Sequence, residues 1–261
     1  YLIVDRRDAL LGSANLDWRA LAHIVELGLR LREPALVAGL ADLFDADWAL
    51  AAGAARGDRR RPGAGAPVAV VDYRGEPARA RLVASPRGLL LDDAAWDLPH
   101  LLALIDGARA RVRLQVLSYA RLGYDGAPWD DLDLALRRAA ARGVRVELLV
   151  ADWNLRPPGV DGLARAGVAV RVVTIPPAAE GFIPYARVIH AKALTVDGDA
   201  AWIGSSNASG DYFLRSRNVG VIVAAPAFAA DVDALFDGLW SGPYARPFDP
   251  DAEHTPPRVR E

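Results

Sequence analysis

The chain of 261 residues contains no cysteine and no methionine. Without cysteine, disulfides and thiolate metal sites are excluded. The four histidines show none of the spacings of metal-binding motifs, so we predict neither a metal nor another cofactor. No apolar run approaches the ~20 residues of a membrane span, so no transmembrane segment is expected within the chain. A cysteine-free chain suits the cytosol and export equally, and the localisation stays unknown.

An excess of charge of one sign is also missing. The chain has 31 Lys and Arg against 33 Asp and Glu, a formal net charge of -2. This balance argues against a strongly basic nucleic-acid coat, although a local cluster of positive charge can still attract a phosphate. The apolar fraction of 52% is ordinary for a globular protein, and the length suits one large domain or two small ones.

The missing methionine bears on the first residue. The chain opens on Tyr1 inside a strand-like run, YLIVD, whereas translation begins with methionine. We therefore expect that Tyr1 is not the natural start, and that any targeting signal would lie upstream of it.

The segment from Ala186 to Asn218 concentrates the polar residues with chemical potential. His190 and Lys192 are two residues apart, so on a strand both side chains leave the same face. A strand-like run leads to Asp197-Gly198-Asp199, which reads as a tight turn, and a second run returns to Ser205 and Asn207. This pattern predicts a hairpin that brings Ser205 and Asn207 beside His190 and Lys192.

These four side chains suit a phosphodiester. The lysine and asparagine can donate to non-bridging phosphate oxygens. A neutral histidine can attack phosphorus, and a protonated one can give a proton to the leaving oxygen. A single histidine on a strand is more often a packing residue. The lysine two positions later, together with the returning serine and asparagine, favours catalysis instead.

Residues 1–48 match residues 193–240 without a gap, and 15 of the 48 positions are identical. Gly12-Ser13 and Asn15 fall on Gly204-Ser205 and Asn207, and Asp5 falls on Asp197. Chance would give roughly one identity in fifteen to twenty positions, so this is a duplication. The equivalents of His190 and Lys192 would precede Tyr1, so we expect the first repeat to be cut short just after them.

Strand-like and helix-like runs alternate along the rest of the chain, which predicts an α/β sandwich with a mixed sheet. We divide the chain into a remnant of a first lobe (1–53), a linker (54–67), a complete second lobe (68–243) and a surface tail (244–261). One strand is predicted from His23 to Leu31.

His190-x-Lys192-x4-Asp197 followed by Gly204-Ser205-x-Asn207 resembles the second HKD motif of the phospholipase D superfamily, and Asp5 with Gly12-Ser13-x-Asn15 resembles the first motif without its HxK. GSANLDWRAL, IPYARVIHAK and GSSNASGDYF look like the branch that contains the lysosomal 5′-exonuclease and phospholipase D-like proteins and the poxvirus envelope phospholipase. The resemblance covers nearly the whole chain.

The resemblance implies an α-β-α sandwich of two lobes related by a pseudo-twofold axis, the first of them incomplete here. It implies one HxK from each lobe, a phosphohistidine intermediate and no metal. The first-lobe histidine would be the nucleophile, and His190 would act as general acid and then as general base. It further implies that Lys192, Ser205 and Asn207, with Ser13 and Asn15 from the other lobe, hold the phosphate.

The same resemblance gives Glu26 the role of orienting the His190 ring, although a simple ion pair with an arginine is the alternative. Asp197 and Asp5 are expected to serve their turns and not the chemistry. The repeat mate of Glu26 is Asn218, which is not an acid.

The sequence thus predicts a metal-independent phosphodiesterase that hydrolyses a phospholipid or the 5′ end of a single-stranded nucleic acid, with the 261 residues alone weakly active or inactive. The alternative is a truncated, catalytically dead protein that binds phosphates or membranes. A homodimer that shares two copies of His190 is a third possibility. The retained Gly12-Ser13-x-Asn15 would occupy the partner's place, so a monomer is favoured. Lipid against nucleic acid, and hydrolysis against transfer to an alcohol, stay open.

Overall fold

The structure, a computed structural model, describes residues 1–55, 58–155 and 158–260. The predicted linker 54–67 and tail 244–261 therefore lie partly outside the described residues. Helices and strands alternate along most of the chain. The helices are α1 (Trp18–Ala22), α2 (Pro34–Ala51), α3 (Asp97–Gly107), α4 (Asp131–Ala141), α5 (Val160–Arg165), α6 (Gly210–Leu214) and α7 (Pro226–Trp240).

The strands belong to one large sheet and two small ones. They are β1 (Leu2–Val4), β2 (Asp8–Gly12), β3 (Ile24–Val25), β4 (Gly28–Leu31), β5 (Val68–Tyr73), β6 (Glu76–Ser85), β7 (Arg111–Val116), β8 (Arg145–Ala151), β9 (Ala169–Val173), β10 (Val188–Ile189), β11 (Ala193–Val196), β12 (Ala200–Gly204), β13 (Asn218–Ala224) and β14 (Ala245–Pro247). The large sheet has the order β14-β9-β8-β7-β11-β12-β13-β6-β5. Within it, β8 pairs in parallel with β7 and β9, and the other described neighbours pair antiparallel. The predicted mixed α/β architecture is confirmed.

Apolar side chains cover both faces of the large sheet. One face packs against α3, α4 and α5. The other packs against α7, α2 and the three-stranded sheet β1-β2-β4. The interior strand β8 is buried along almost its whole length, as its nearly continuous apolar sequence predicts for a strand covered on both sides. The predicted first and second lobes therefore share one apolar core.

The duplication is visible in the structure. Each of β1, β2, α1, β4 and α2 overlaps β11, β12, α6, β13 or α7 after a shift of 192 residues. The pairing Leu2↔Leu10 recurs as Leu194↔Trp202, and Gly12↔Gly28 recurs as Gly204↔Gly220. Both turn aspartates adopt the left-handed conformation, with φ of 51° at Asp5 and 55° at Asp197. Both long helices begin with proline at their first turn, where a fixed φ suits helix entry.

Arg217 connects the two repeats. Its guanidinium makes two hydrogen bonds of 2.8 Å to the carboxylate of Asp47 on α2, and it also donates to the carbonyl oxygens of Leu89 and Ser85. A paired, planar contact of this kind fixes orientation as well as distance. It lies directly before Asn218, the repeat mate of Glu26.

Equivalent residues of the two repeats differ sharply in burial. Leu194, Val196 and Trp202 are 1%, 7% and 2% exposed, in a core that includes side chains of α3 and α4. Their mates Leu2, Val4 and Leu10 are 43%, 49% and 53% exposed. Beside them, a groove of about 410 Å³ between β1 and α2 is lined by Tyr1, Leu2 and Phe44 among others. The first repeat thus presents an apolar face whose counterpart is core.

This face predicts binding of a hydrophobic dye. We expect the chain of 261 residues to enhance the fluorescence of anilinonaphthalene sulfonate, and Leu10→Lys to reduce it while changing the free energy of unfolding by less than about 0.5 kcal/mol. Leu134→Lys on α4, a similarly exposed position, is the matched control and should leave the fluorescence unchanged. Equal fluorescence of Leu10→Lys and the unaltered chain would contradict this.

Candidate active site

A short parallel ladder between the repeats places Glu26 opposite His190. Strand β3 pairs with β10 in the register Ile24↔Val188 and Val25↔Ile189. The backbone N–H groups of His190 and Ala191 both donate to the Val25 carbonyl, at 2.8 and 3.0 Å. The residue that follows β3 is therefore Glu26, and the residue that follows β10 is His190.

The predicted single strand from His23 to Leu31 is wrong, and the difference creates the site. The chain leaves β3 after Val25 and begins β4 at Gly28, where it pairs with β2 instead of β10. Glu26 and Leu27 lie in the break between these two partners. A continuous strand would have kept Glu26 in one ladder, whereas the break leaves its carboxylate to face His190.

Glu26 holds the His190 ring through Nδ1. The Nδ1 atom lies 2.9 and 3.1 Å from the two carboxylate oxygens, and the His190 and Glu26 side chains are 17% and 11% exposed. A carboxylate partner keeps the proton on Nδ1, so Nε2 is left for a reacting group. Within the described part of the chain, Nε2 has no hydrogen-bond partner. The structure thus brings together the two residues that the resemblance paired.

Ser13 supports the carboxylate from behind. Its hydroxyl donates to Glu26 Oε2 at 2.5 Å and accepts from the Leu27 N–H at 3.0 Å. The second repeat copies this arrangement, because the Ser205 hydroxyl donates to Asn218 Oδ1 at 3.0 Å and accepts from the Val219 N–H. Each serine therefore supports residue 26 or 218. A direct phosphate contact by Ser13 or Ser205 stays a prediction.

Lys192 is the only lysine of the sequence, and it is buried. Its Nζ donates to the carbonyl oxygen of His190 at 2.6 Å. Burial lowers the pKa of Lys192 to about 7, while the negative charge of Glu26 works in the opposite direction. The ammonium is thus close enough to Glu26 for the two charges to interact, and its charge changes near neutral pH.

The amide of Asn207 is fixed at both ends. Its Oδ1 accepts from the backbone N–H groups of Leu117 and Ser118, just beyond β7, and its Nδ2 donates to the Tyr212 hydroxyl at 2.9 Å. One amide hydrogen is left for a ligand. The repeat mate Asn15 is exposed, and no side-chain hydrogen bond of it occurs among the described residues. The first repeat has Ala20 at the position equivalent to Tyr212 of the second repeat.

Asp197 lies at the far end of the hairpin from His190. Its carboxylate accepts three backbone hydrogen bonds, from Arg109, Ala110 and Arg111, at 2.8 to 2.9 Å. Burial opposes ionisation, but these N–H groups and the Arg109 charge keep the pKa of Asp197 below its usual value. The geometry is that of a support for the entry to β7. Asp5, at the equivalent turn, is exposed.

The role of Tyr212 was not predicted. Its hydroxyl accepts a hydrogen bond from Asn207 Nδ2. The five-residue spacing from Asn207 to Tyr212 spans a loop and the first turn of α6, and no sequence pattern fixes such a contact.

Among residues 1–55, 58–155 and 158–260 there is no cluster of three or more metal-ligating side chains. No described helix has the length and hydropathy to cross a membrane.

Two family models and several curated proteins match this chain. The family model described as "PLD3/4, PLD-like domain" matches residues 1–165, and "Cardiolipin synthase, PLD-like domain" matches residues 101–240. A probable phospholipase D of Caenorhabditis elegans is 29% identical over 94% of this chain and 49% of its own length. The 5′-3′ exonuclease PLD3 of Bos taurus is 31% identical over 97% of this chain and 57% of its own.

A solved structure shares the fold. Phosphatidylserine synthase of Haemophilus influenzae superposes with a TM-score of 0.60 and 8% identity, over 94% of this chain and 62% of that one. The chain spans about half the length of the two relatives above. Together with the HxK motif, the returning Gly-Ser-x-Asn loop and the duplicated hairpin, the two matching family models show that the chain belongs to the phospholipase D superfamily.

Proposed function

We propose that the protein is a metal-independent phosphodiesterase that works through a phosphohistidine intermediate. One observation carries the proposal: Glu26 holds His190 Nδ1 and leaves Nε2 open, and the buried Lys192 contacts the His190 carbonyl oxygen. A carboxylate on Nδ1 fixes the tautomer and orientation of the ring, so that Nε2 faces the group to which a general acid gives its proton. The phosphodiester is that of a phospholipid or of the 5′ end of a single-stranded nucleic acid, as the relatives' names suggest.

In the proposed first step, a histidine of the first repeat attacks phosphorus while His190 gives its Nε2 proton to the leaving oxygen. The phosphorus–oxygen bond breaks and a phosphorus–nitrogen bond forms. In the second step, His190 Nε2 takes a proton from water, whose oxygen displaces the histidine. Glu26 keeps the same hydrogen bond to Nδ1 throughout and balances the charge on the ring.

The phosphate would be held by Lys192 and by the free amide hydrogen of Asn207. Both groups are buried and already held by backbone groups, so little reorganisation is needed when charge develops. Ser13 and Ser205 would act through Glu26 and Asn218. Asn15 would contribute from its exposed loop.

The proposal is tested with the protein expressed from its complete coding sequence. Three substrates are compared in the presence of a metal chelator: bis(p-nitrophenyl) phosphate, a single-stranded oligonucleotide with a labelled 3′ end, and phosphatidylcholine vesicles. We expect turnover of at least one. Loss of all activity in the chelator would exclude the metal-independent mechanism. Sulfate binding without turnover of any of the three would favour the dead phosphate-binding alternative.

Glu26→Gln tests the orienting role. The amide can still contact Nδ1 but carries no charge, so we expect kcat to fall about 10- to 100-fold, the usual range for such supporting partners, with KM little changed. Asp45→Asn, which alters a half-buried carboxylate on α2 that pairs with Arg6, is the matched control. Unchanged kcat for Glu26→Gln would remove the role of Glu26 while leaving His190 in place.

A further inference from the structure

The segment between β9 and β10 leads directly into the site and carries an unusual backbone. Tyr185 and Arg187 have φ of 56° and 59°, the left-handed region that side chains other than glycine rarely adopt. This conformation is unfavourable for residues other than glycine, so the surrounding structure must impose it. His190 follows three residues after Arg187.

Three hydrogen bonds from distant parts of the chain hold this segment. Arg19 Nε of α1 donates to the Pro184 carbonyl at 2.9 Å, and the Tyr185 N–H donates to the Val259 carbonyl at 3.0 Å. The Arg187 N–H donates to the His23 carbonyl at 2.9 Å. The last bond is continuous with the β3–β10 ladder, so the two strained residues immediately precede the pairing that aligns Glu26 with His190.

The C-terminal tail reaches this segment along an anchored path. Strand β14 pairs with β9, and the Phe248 N–H donates to the Val170 carbonyl at 2.9 Å. Asp251 pairs with Arg165 at 2.6 Å, and the His254 ring stacks on Phe248. Beyond these anchors, the Arg258 guanidinium lies 4.3 Å from the centre of the Phe182 ring, next to the Val259 contact.

We propose that the tail, residues 248–260, is a positioning element of the active site. The tail holds residues 182–187 through Arg258 and Val259. This aligns β10 for its pairing with β3, and the pairing sets the Glu26–His190 contact. The sequence predicted only a surface tail. The inference has two parts. The geometric part, that the tail sets the Glu26–His190 contact, is independent of the proposed function. The kinetic part, that this contact serves catalysis, rests on the proposed function.

The geometric part is tested by nuclear magnetic resonance of the histidine ring in the chain of 261 residues. We compare a chain that ends at Glu253, which lacks the Arg258 and Val259 contacts, with one that ends at Arg260, which keeps both. We expect the hydrogen-bonded Nδ1–H signal of His190 to be retained in the longer chain and lost or exchange-broadened in the shorter one. An unchanged signal in the shorter chain would overturn the inference.

Substitutions cover the case in which the shorter chain does not fold. Arg258→Ala removes the cation over Phe182 and should weaken the His190 signal, whereas Arg258→Lys keeps a cation there and should restore it. Arg260→Ala, an exposed arginine of the same tail, is the matched control. Equal signals for Arg258→Ala and Arg260→Ala would also overturn the inference.

The kinetic part uses the same three substitutions in the protein from the complete coding sequence. We expect kcat of Arg258→Ala to fall about tenfold with KM unchanged. A His190 ring that is held less firmly transfers protons more slowly, whereas substrate binding does not depend on its exact orientation. A changed His190 signal with unchanged kcat would leave the positioning role standing and count against the proposed function. An unchanged signal with reduced kcat would assign Arg258 another role and overturn the inference.

Discussion

His190→Ala is expected to lower steady-state kcat/KM of the complete protein by about 10³-fold or more on a phosphodiester with an alkyl leaving group. Such a group leaves only with a proton, and the variant has lost the acid that Glu26 orients. His100→Ala is the matched control, because this histidine lies on α3 with its ring against the Ala94 carbonyl. It should keep wild-type turnover.

The leaving group makes the His190 prediction sharper. p-Nitrophenolate needs no proton to leave, so the variant should release about one equivalent of it per site from bis(p-nitrophenyl) phosphate and then stop. The stop follows because no base activates water against the phosphohistidine. Continued steady turnover would remove His190 from the second step. Complete absence of the burst would make His190 itself the candidate nucleophile.

Lys192→Met is expected to weaken sulfate binding about 10²-fold, because a buried cation contributes a charge-assisted hydrogen bond. Sulfate suits the test because its own charge is constant between pH 5 and 9. With a pKa of about 7, Lys192 is charged below that pH and neutral above it. Sulfate affinity of the unaltered chain should therefore fall as pH rises above 7, and the variant should show no such fall. Titration calorimetry at pH 6, 7.5 and 9 measures both.

Lys192→Met weakens sulfate binding, but it is expected to increase the stability of the folded chain at low pH. The folded-state pKa of Lys192 lies below its unfolded value of 10.5, so burial of the charge costs most below pH 7. Between pH 7 and 10.5 the unfolded chain binds the extra proton, and the stability of the unaltered chain rises with pH relative to the variant, by on the order of 1 kcal/mol per pH unit. Lys192→Met should therefore be the more stable chain at pH 6, with an advantage that shrinks towards pH 9 in urea unfolding.

Stability below that of the unaltered chain at pH 6 would show that Lys192 is paired more strongly than its contacts indicate. The comparison is made as a difference between the two chains, because burial also raises the pKa of Asp97 to about 7. That carboxyl titrates in both chains and cancels.

The sequence predicted the second-repeat hairpin well because its signals are local. A β-rich run, an Asp-Gly turn and a second run fix β11 and β12. His190 and Lys192 lie between β10 and β11 and not on a strand, where the sequence had suggested they would be. The duplication predicted the first-repeat hairpin in the same way, with its turn at Asp5. In these elements the local preference and the tertiary structure agree.

The contacts that complete the site are not local, and residue patterns alone did not give them. Glu26 meets His190 through a two-residue ladder between segments 164 positions apart, and only the family resemblance suggested the pair. The single strand predicted from His23 to Leu31 failed because hydropathy does not show where a strand changes partner. The Asn207–Tyr212 and Tyr185–Val259 contacts depend on loop paths, which composition leaves open.

The most direct test of the account is a crystal structure of the chain with vanadate, a phosphate analogue that binds where phosphorus is attacked. We predict a vanadate oxygen within hydrogen-bonding distance of His190 Nε2, with Lys192 Nζ and Asn207 Nδ2 donating to other vanadate oxygens and Nδ1 still on Glu26. Vanadate bound away from Nε2, or a His190 ring turned from Glu26 when the ligand is bound, would contradict it.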